Sequence, residues 1–341
     1  MTLGFLALAL SFGGVAWFLF EKRRRRTGPV PPGYQTDLEF PHETEWELYH
    51  NAFSLCSMKT RLCLAELQIP YTSHHINLIE TGAYETLRPK LLTVNPCGTV
   101  PVLLHEGHPI YESHEQIRYA AKFAPEGVPS LVPEDPAERD EMEAWIDRSS
   151  LTNPLEEPDK SAGNAVPGQT LPLFCTMVEK IPLHLILEGL LFHFDKRRPL
   201  MFILFKLLGI HRMDKLGPLA AAIGQTRGIL LGFLDELDQR LEKNGGPWIM
   251  GEQYTLADVG WLVILERIRQ ASCENVFLDP VDRPHVAAYW QRLQDRPAYQ
   301  EAILDHYHPL IEHGRVRIAE AKEKDTRVRV LLEGASKIDE I

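Results

Sequence analysis

Cysteine is scarce in this 341-residue chain: there are five, Cys56, Cys63, Cys97, Cys175 and Cys273, and no two are spaced like zinc ligands. An odd, scattered set excludes a disulfide framework and fits free thiols in a reducing compartment. The fourteen histidines also lack metal spacing, and His74 and His75, adjacent in a predicted strand, face opposite sides, so no metal is expected. Positive charge is short as well. The chain carries a net −11, and Glu21 to Arg26 alone carries +4, which leaves −15 on the remainder. Such a body repels phosphate backbones, which excludes nucleic acid as a partner. No internal repeat is present, and there is one long uncharged run, residues 3–20. Its length suits a hydrocarbon core of about 30 Å. No cation precedes the run, and arginines follow it where a signal-peptide cleavage site would need small residues, so it reads as a retained single transmembrane helix. Positive flanks stay on the cytoplasmic side, which predicts a single-pass membrane protein with its N-terminus outside and its body cytoplasmic.

What is present divides the chain. Residues 1–26 form the predicted anchor and its basic flank, and 27–44, rich in proline and glycine, a stiff structureless linker. Over 45–125 the pattern is mixed. "WELYH" (46–50) reads as a buried strand, and Leu55, Met58, Leu62 and Ala65 then recur at helical spacing. "PYTSHHINL" (70–78) alternates like a strand, and "VPVLLHEGHPIYE" (100–112) reads as a hairpin turning at Glu106-Gly107. Ser113 to Phe123 reads as a helix, with Ser113 and Gln116 placed as a capping box. The order βαβ, irregular helix, ββα is that of an α/β thioredoxin-like domain. Over 135–315 strand signals stop and the second domain reads as all-helical, with Thr255 and Asp258 set for reciprocal capping. An insert at about 154–212 holds a polar, proline-bearing loop and two apolar stretches too short to span a bilayer. These read either as helices packed inside the second domain or as an interfacial membrane contact. Residues 316–341 form a C-terminal tail.

Three short segments carry chemistry. Ser54 ends the loop after the first strand, and the partial positive charge at the following helix N-terminus points at whatever sits there. Cys56 lies in the first turn of that helix and shares its field, which makes it a candidate reactive thiol. Pro101 cannot donate a strand hydrogen bond, which leaves the peptide of Val100 free to pair with a ligand backbone at a strand edge. Glu112-Ser113 places a carboxylate and a hydroxyl at a helix N-terminus that already favours an anion.

Taken in order, "LYHNAFSLCSMKTRL", "NPCGTVPVL", "ESHEQI", "YTLADVGW" and "RPHVAAYWQRLQDRPAY" resemble the cytosolic-type glutathione transferases from about residue 45 to 310. "SLCSMKTRL" is most similar to tetrachlorohydroquinone dehalogenase and other zeta-like members. The resemblance implies the glutathione transferase fold, glutathione as co-substrate, a homodimer, and a hydrophobic small-molecule electrophile as second substrate. It implies that Ser54 donates its hydroxyl to the glutathione sulfur, that Val100 pairs with the cysteinyl part beside a cis Pro101, and that Glu112 and Ser113 take the γ-glutamyl amine and carboxylate. Moving a thiol from a pKa of about 8.5 down by roughly two units needs about 2.7 kcal/mol, the order that a hydroxyl donor and a helix terminus supply. For Cys56 three readings stay open: redox-active as in the dehalogenase, isomerase-like as in zeta enzymes, or an inert helix residue. The expectation is a membrane-tethered glutathione-dependent transferase, reductive and dehalogenase-like. The alternatives are a glutathione-dependent cis-trans isomerase and a non-catalytic membrane-associated protein similar to the ganglioside-induced differentiation-associated proteins.

Overall fold

The structure, a computed structural model, describes the backbone of residues 2–153 and 156–334 and, within those ranges, side chains from residue 12 onward. It opens with helix α1 (Thr2–Arg24). A mixed five-stranded sheet follows, built from β1 (Gly33–Tyr34), β2 (Trp46–His50), β3 (Thr72–His75), β4 (Val102–His105) and β5 (His108–Tyr111) in the order β1-β5-β4-β2-β3. β2 and β3 run parallel across the crossover helix α2 (Leu55–Glu66), and the other pairs are antiparallel. Short α3 (Pro89–Val94) precedes the β4-β5 hairpin, and α4 (Ser113–Ala120) follows it. The hairpin turns at Glu106 and Gly107, both at positive φ (50° and 79°), the conformation a two-residue turn demands. β2 is buried along its whole length because it is central.

The second half is helical: α5 (Pro136–Ser149), α6 (Ala162–Val178), α7 (Leu183–Phe192), α8 (Arg197–Leu208), α9 (Gly217–Asn244), α10 (Leu256–Gln270), α11 (Glu274–Phe277), α12 (Pro284–Gln294), α13 (Pro297–Tyr299), α14 (Pro309–Lys324) and α15 (Thr326–Glu333). α10 is its axis. The expected capping box starts it: the Asp258 carboxylate accepts the Thr255 N–H at 2.8 Å and also receives the Ile249 N–H (3.0 Å) and the Tyr289 hydroxyl (2.8 Å). α10 packs on α2, and one core runs from Leu48, Met58 and Leu62 to Trp145 and Trp261, so the two halves share their interior. Burying side chains of this size contributes about 1.5–3 kcal/mol each. α2 therefore has no solvent face: Ser57 to Leu64 are all buried, between α4 on one side and α10 on the other.

Several expectations are corrected. Among the described residues no helix is long and apolar enough to cross a membrane, which overturns the predicted transmembrane helix over 3–20 and the single-pass localisation built on it. The side chains of 3–11 lie outside the described residues. The remainder of α1 leans on the protein itself: Phe18 and Trp17 meet Phe192 of α7 at 5.8 and 6.3 Å, and Arg25 pairs with Glu188 at 2.5 Å and Glu21 at 2.9 Å. The linker 27–44 is not structureless, since β1 pairs with β5 and Phe40 N–H donates to Gly107 O. Gly107 is required there, because a Cβ would lie 2.6 Å from Phe40 O.

Within the insert, the polar proline-bearing stretch expected as a loop is the buried helix α6, with Pro167 and Pro172 inside it, and residues 154 and 155 lie outside the described residues. α7 and α8 pack on each other, and an ion pair from Arg198 to Glu80 ties α8 to the first domain. Leu183, Leu187 and Leu191 remain exposed on one side of α7, as do Leu200, Leu204 and Leu207 on α8. The segment set apart as a tail is helical to Glu333, with Val328 and Leu332 buried, and 335–341 lie outside the described residues.

Candidate functional site

Ser54 is the N-cap of α2. Its extended backbone (φ −64°, ψ 122°) turns the chain into the helix, and its hydroxyl accepts the Ser57 N–H at 3.2 Å while donating to Val100 O at 3.4 Å. That second bond joins two segments 46 residues apart. Cys56, the second residue of α2, is half-buried, and its carbonyl accepts the Thr60 hydroxyl at 3.2 Å. The Val100-Pro101 peptide is cis. Strand pairing between β2 and β4 ends with Tyr49 opposite Val102, so Val100 lies just beyond the ladder.

The third segment differs from its sequence reading. Ser113 and Gln116 do not form a capping box: the N-cap of α4 is Glu112, and no side chain caps it. Gln116 turns inward instead. Its amide donates to Pro101 O (3.1 Å) and Ile110 O (2.8 Å), and its carbonyl accepts the Thr60 hydroxyl (2.7 Å). Gln116 therefore links α2, the Pro101 turn and α4, a more useful role for a fully buried amide than capping a partly wet helix end. Glu112 adopts φ 68°, ψ 123°, a conformation that side-chain-bearing residues rarely take and that neighbouring structure must enforce. Glu112 is exposed, and desolvation, with Glu115 beside it, raises its pKa. Ser113 is buried at the first turn of α4.

Ser54, Cys56, Val100, Pro101, Glu112 and Ser113 thus come from three chain segments that the Ser54–Val100 and Thr60–Gln116–Pro101 bonds hold together. Two helix N-termini, of α2 and α4, belong to this group, and helix N-termini favour anions. On the helical-domain side, Phe53 meets Phe174 at 5.6 Å, and Phe174 meets Phe202 at 6.0 Å, an apolar wall beginning one residue before Ser54. Sequence reasoning missed this wall, and it missed two buried cations, Lys59 of α2 and Arg267 of α10, the latter over the Phe53 ring. The apolar stretches of the insert were the available signal for the aromatics. For the cations there was none.

Two family models match the chain: glutathione S-transferase, N-terminal domain, over residues 53–122, and glutathione S-transferase, C-terminal domain, over 226–301. With the thioredoxin-like and helical halves described above, these matches make the chain similar to the glutathione S-transferases in both of its halves. Its relatives include the glutathione S-transferase TCHQD of Arabidopsis thaliana, 27% identical over 75% of this chain and 89% of that protein. The tetrachloro-p-hydroquinone reductive dehalogenase of Sphingobium chlorophenolicum is 26% identical over 76% and 95%. The fold is shared with the β-etherase LigF of Sphingobium sp. strain SYK-6 (TM-score 0.61, 19% identity, 77% of this chain and 100% of that one). It is shared also with a glutathione transferase family member of Pseudomonas fluorescens that has two glutathiones bound (TM-score 0.52, 19% identity, 77% and 95%).

Proposed function

We propose that the protein is a glutathione-dependent transferase that removes a leaving group reductively from an apolar aromatic electrophile. The observation that carries this reading is the placement of Ser54 and Cys56 in one helix entrance, with Val100 bonded to Ser54 and the Glu112-Ser113 turn linked through Gln116. Glutathione would pair with the Val100 peptide, place its γ-glutamyl amine on Glu112 and its carboxylate at Ser113, and direct its sulfur at the Ser54 hydroxyl. That hydroxyl and the α2 terminus stabilise the thiolate form. The second substrate would lie beside Phe174, which is only partly buried.

The chemistry takes three steps. The glutathione thiolate attacks the substrate carbon, forming a C–S bond as halide leaves. The Cys56 thiolate then attacks the glutathionyl sulfur: an S–S bond forms, the C–S bond breaks, and the carbon takes the electron pair and a proton. A second glutathione thiolate attacks the mixed disulfide, releasing glutathione disulfide and restoring Cys56. Two glutathiones supply the two electrons that turn C–halogen into C–H. The relatives named as a glutathione S-transferase TCHQD and as a tetrachloro-p-hydroquinone reductive dehalogenase support this reading. It carries with it a homodimer, which sedimentation velocity on the purified chain would measure.

Single-turnover mass spectrometry with a chlorinated hydroquinone tests it. Wild type should release the reduced product, and Cys56→Ser should stop at the glutathionyl adduct, because only the thiol exchange needs Cys56. If both proteins give the same product at the same rate, Cys56 is a helix residue and a plain transferase or isomerase reading takes over.

A further inference from the structure

The segment 27–42 touches the loop before Val100 and the strand before Glu112. At its start the Gly28 N–H donates to Pro96 O at 2.9 Å, and Thr27 Cγ2 would lie 3.3 Å from a Cβ on Gly98. Pro96 and Gly98 belong to the tight loop that leads into Val100. There the Asn95 side chain donates to Thr99 O (2.9 Å) and accepts the Cys97 N–H (3.0 Å), and the Gly98 N–H donates to Asn95 O (3.0 Å). Further along, β1 pairs Gly33 with Tyr111 and Tyr34 with Ile110, and the Gln35 N–H donates to Pro109 O at 3.0 Å. The stretch is seated on the protein throughout. Val30 and Phe40 pack on the apolar cluster that holds Val100, Val102, Leu104 and Tyr111, and the Tyr34 ring stacks on Tyr119 of α4 at 4.8 Å. Leu38 O is 2.7 Å from His108 Nδ1.

Glu112 keeps its φ of 68° only if the chain on both sides of it is fixed. On the C-terminal side its carbonyl accepts the Gln116 N–H at 2.9 Å, in the first turn of α4. On the N-terminal side stands Tyr111, whose hydroxyl donates to Val94 O at 2.7 Å. The β4–β5 register stops at Leu103 opposite Ile110, so the strand partner that reaches Tyr111 is Gly33. Without β1, β5 would be an open edge whose last residue is held by its side chain.

We propose, on the reading of Val100 and Glu112-Ser113 as glutathione ligands, that the segment 27–42 is a strap that positions them, with Gly33 and Tyr34 as positioning residues for Glu112-Ser113 and Gly28 for the loop that presents Val100. One continuous strap fixes the chain on both sides of the tripeptide. Glutathione therefore binds the strapped state better, and by linkage it holds the strap down by the same factor.

Amide hydrogen exchange of the full-length protein, followed by mass spectrometry on peptides covering 27–42, reads that link without turnover or substitution. Glutathione at about a hundred times its Kd should slow exchange of this stretch about tenfold. Titration calorimetry adds the variants. Gly33 sits at φ 84°, where a β-branched side chain is strained, so Gly33→Val should detach β1 and weaken glutathione binding about tenfold. Gly33→Asn tolerates positive φ and should stay within about threefold of wild type. Tyr34→Ala, which removes the ring stacked on Tyr119, should shift binding in the same direction as Gly33→Val. The exchange measurement decides alone if Gly33→Val does not fold.

Exchange that glutathione leaves unchanged over 27–42, or a folded Gly33→Val variant with the wild-type Kd, would overturn the strap while leaving the glutathione site in place. Wild type that gives no binding heat would instead remove the site, and the strap's role with it, so the two failures are distinguishable.

Discussion

Acid should destabilise this fold through one buried ring. His50 lies on the central strand β2 with no exposed surface; its Nε2 is 2.7 Å from Ser73 Oγ, and its Nδ1 accepts from Arg61 at 3.1 Å. Burial, then the Arg61 charge, then His306 and His75, push its pKa down to about 2. In the unfolded chain the same ring titrates near 6.5. Between these values the unfolded state binds a proton that the folded state refuses, so the stabilising contribution is intact above pH 6.5 and is lost as pH falls. The slope is about 1.4 kcal/mol per pH unit, or roughly 2.7 kcal/mol between pH 6.5 and 4.5, against a typical total of about 5–15 kcal/mol. Urea unfolding at pH 7, 6, 5 and 4.5 measures it. His50→Gln keeps an amide that can accept from Arg61 and donate to Ser73, but it does not titrate, so its stability should fall less steeply with acid by that amount. Equal slopes for wild type and His50→Gln would refute the reasoning, whatever the absolute stabilities.

Ser54→Ala should raise the pKa of bound glutathione and slow every glutathione-dependent reaction, seen as loss of thiolate absorbance near neutral pH; unchanged absorbance would remove Ser54 from the sulfur. Gly168→Ala should cost about 1–3 kcal/mol by thermal or urea unfolding, since the added Cβ would meet Thr226 Oγ1 at 2.1 Å and Thr226 Cβ at 2.7 Å across the α6–α9 contact. Asp258→Ala should cost roughly 3 kcal/mol or more in the same assay, because the Ile249 and Thr255 N–H groups and the Tyr289 hydroxyl all lose their acceptor.

Local signals carried most of the fold. The hairpin at Glu106-Gly107 and the Thr255/Asp258 cap are written in neighbouring residues, and both form. What failed was decided by distant partners. β1 is two residues long and exists because the β5 edge offers it backbone bonds. α6 keeps its helix through two prolines because burial outweighs the lost donors, and residue type alone argues the reverse. Gln116 reads as a capping partner until the Pro101 and Ile110 carbonyls are brought to it.

The candidate site was legible where the chain is contiguous, in Ser54, Cys56, Val100-Pro101 and Glu112-Ser113. It was illegible where burial comes from packing. Lys59 follows Met58 off the apolar stripe Leu55, Met58, Leu62 and so reads as a solvent-facing lysine, yet α4 and α10 cover both sides of α2. The uncharged run at 3–20 has the composition of a membrane span, but composition does not show that the end of α1 rests on Phe192 and Glu188.

The central claim is that these three segments form one glutathione site, and titration calorimetry of glutathione against wild type and Glu112→Ala tests it most directly. Removing the charge-assisted partner of the γ-glutamyl amine should weaken binding by about 1.5–3 kcal/mol, roughly ten- to a hundredfold in Kd. Wild type that gives no binding heat, or a variant whose Kd equals that of wild type, would contradict the account.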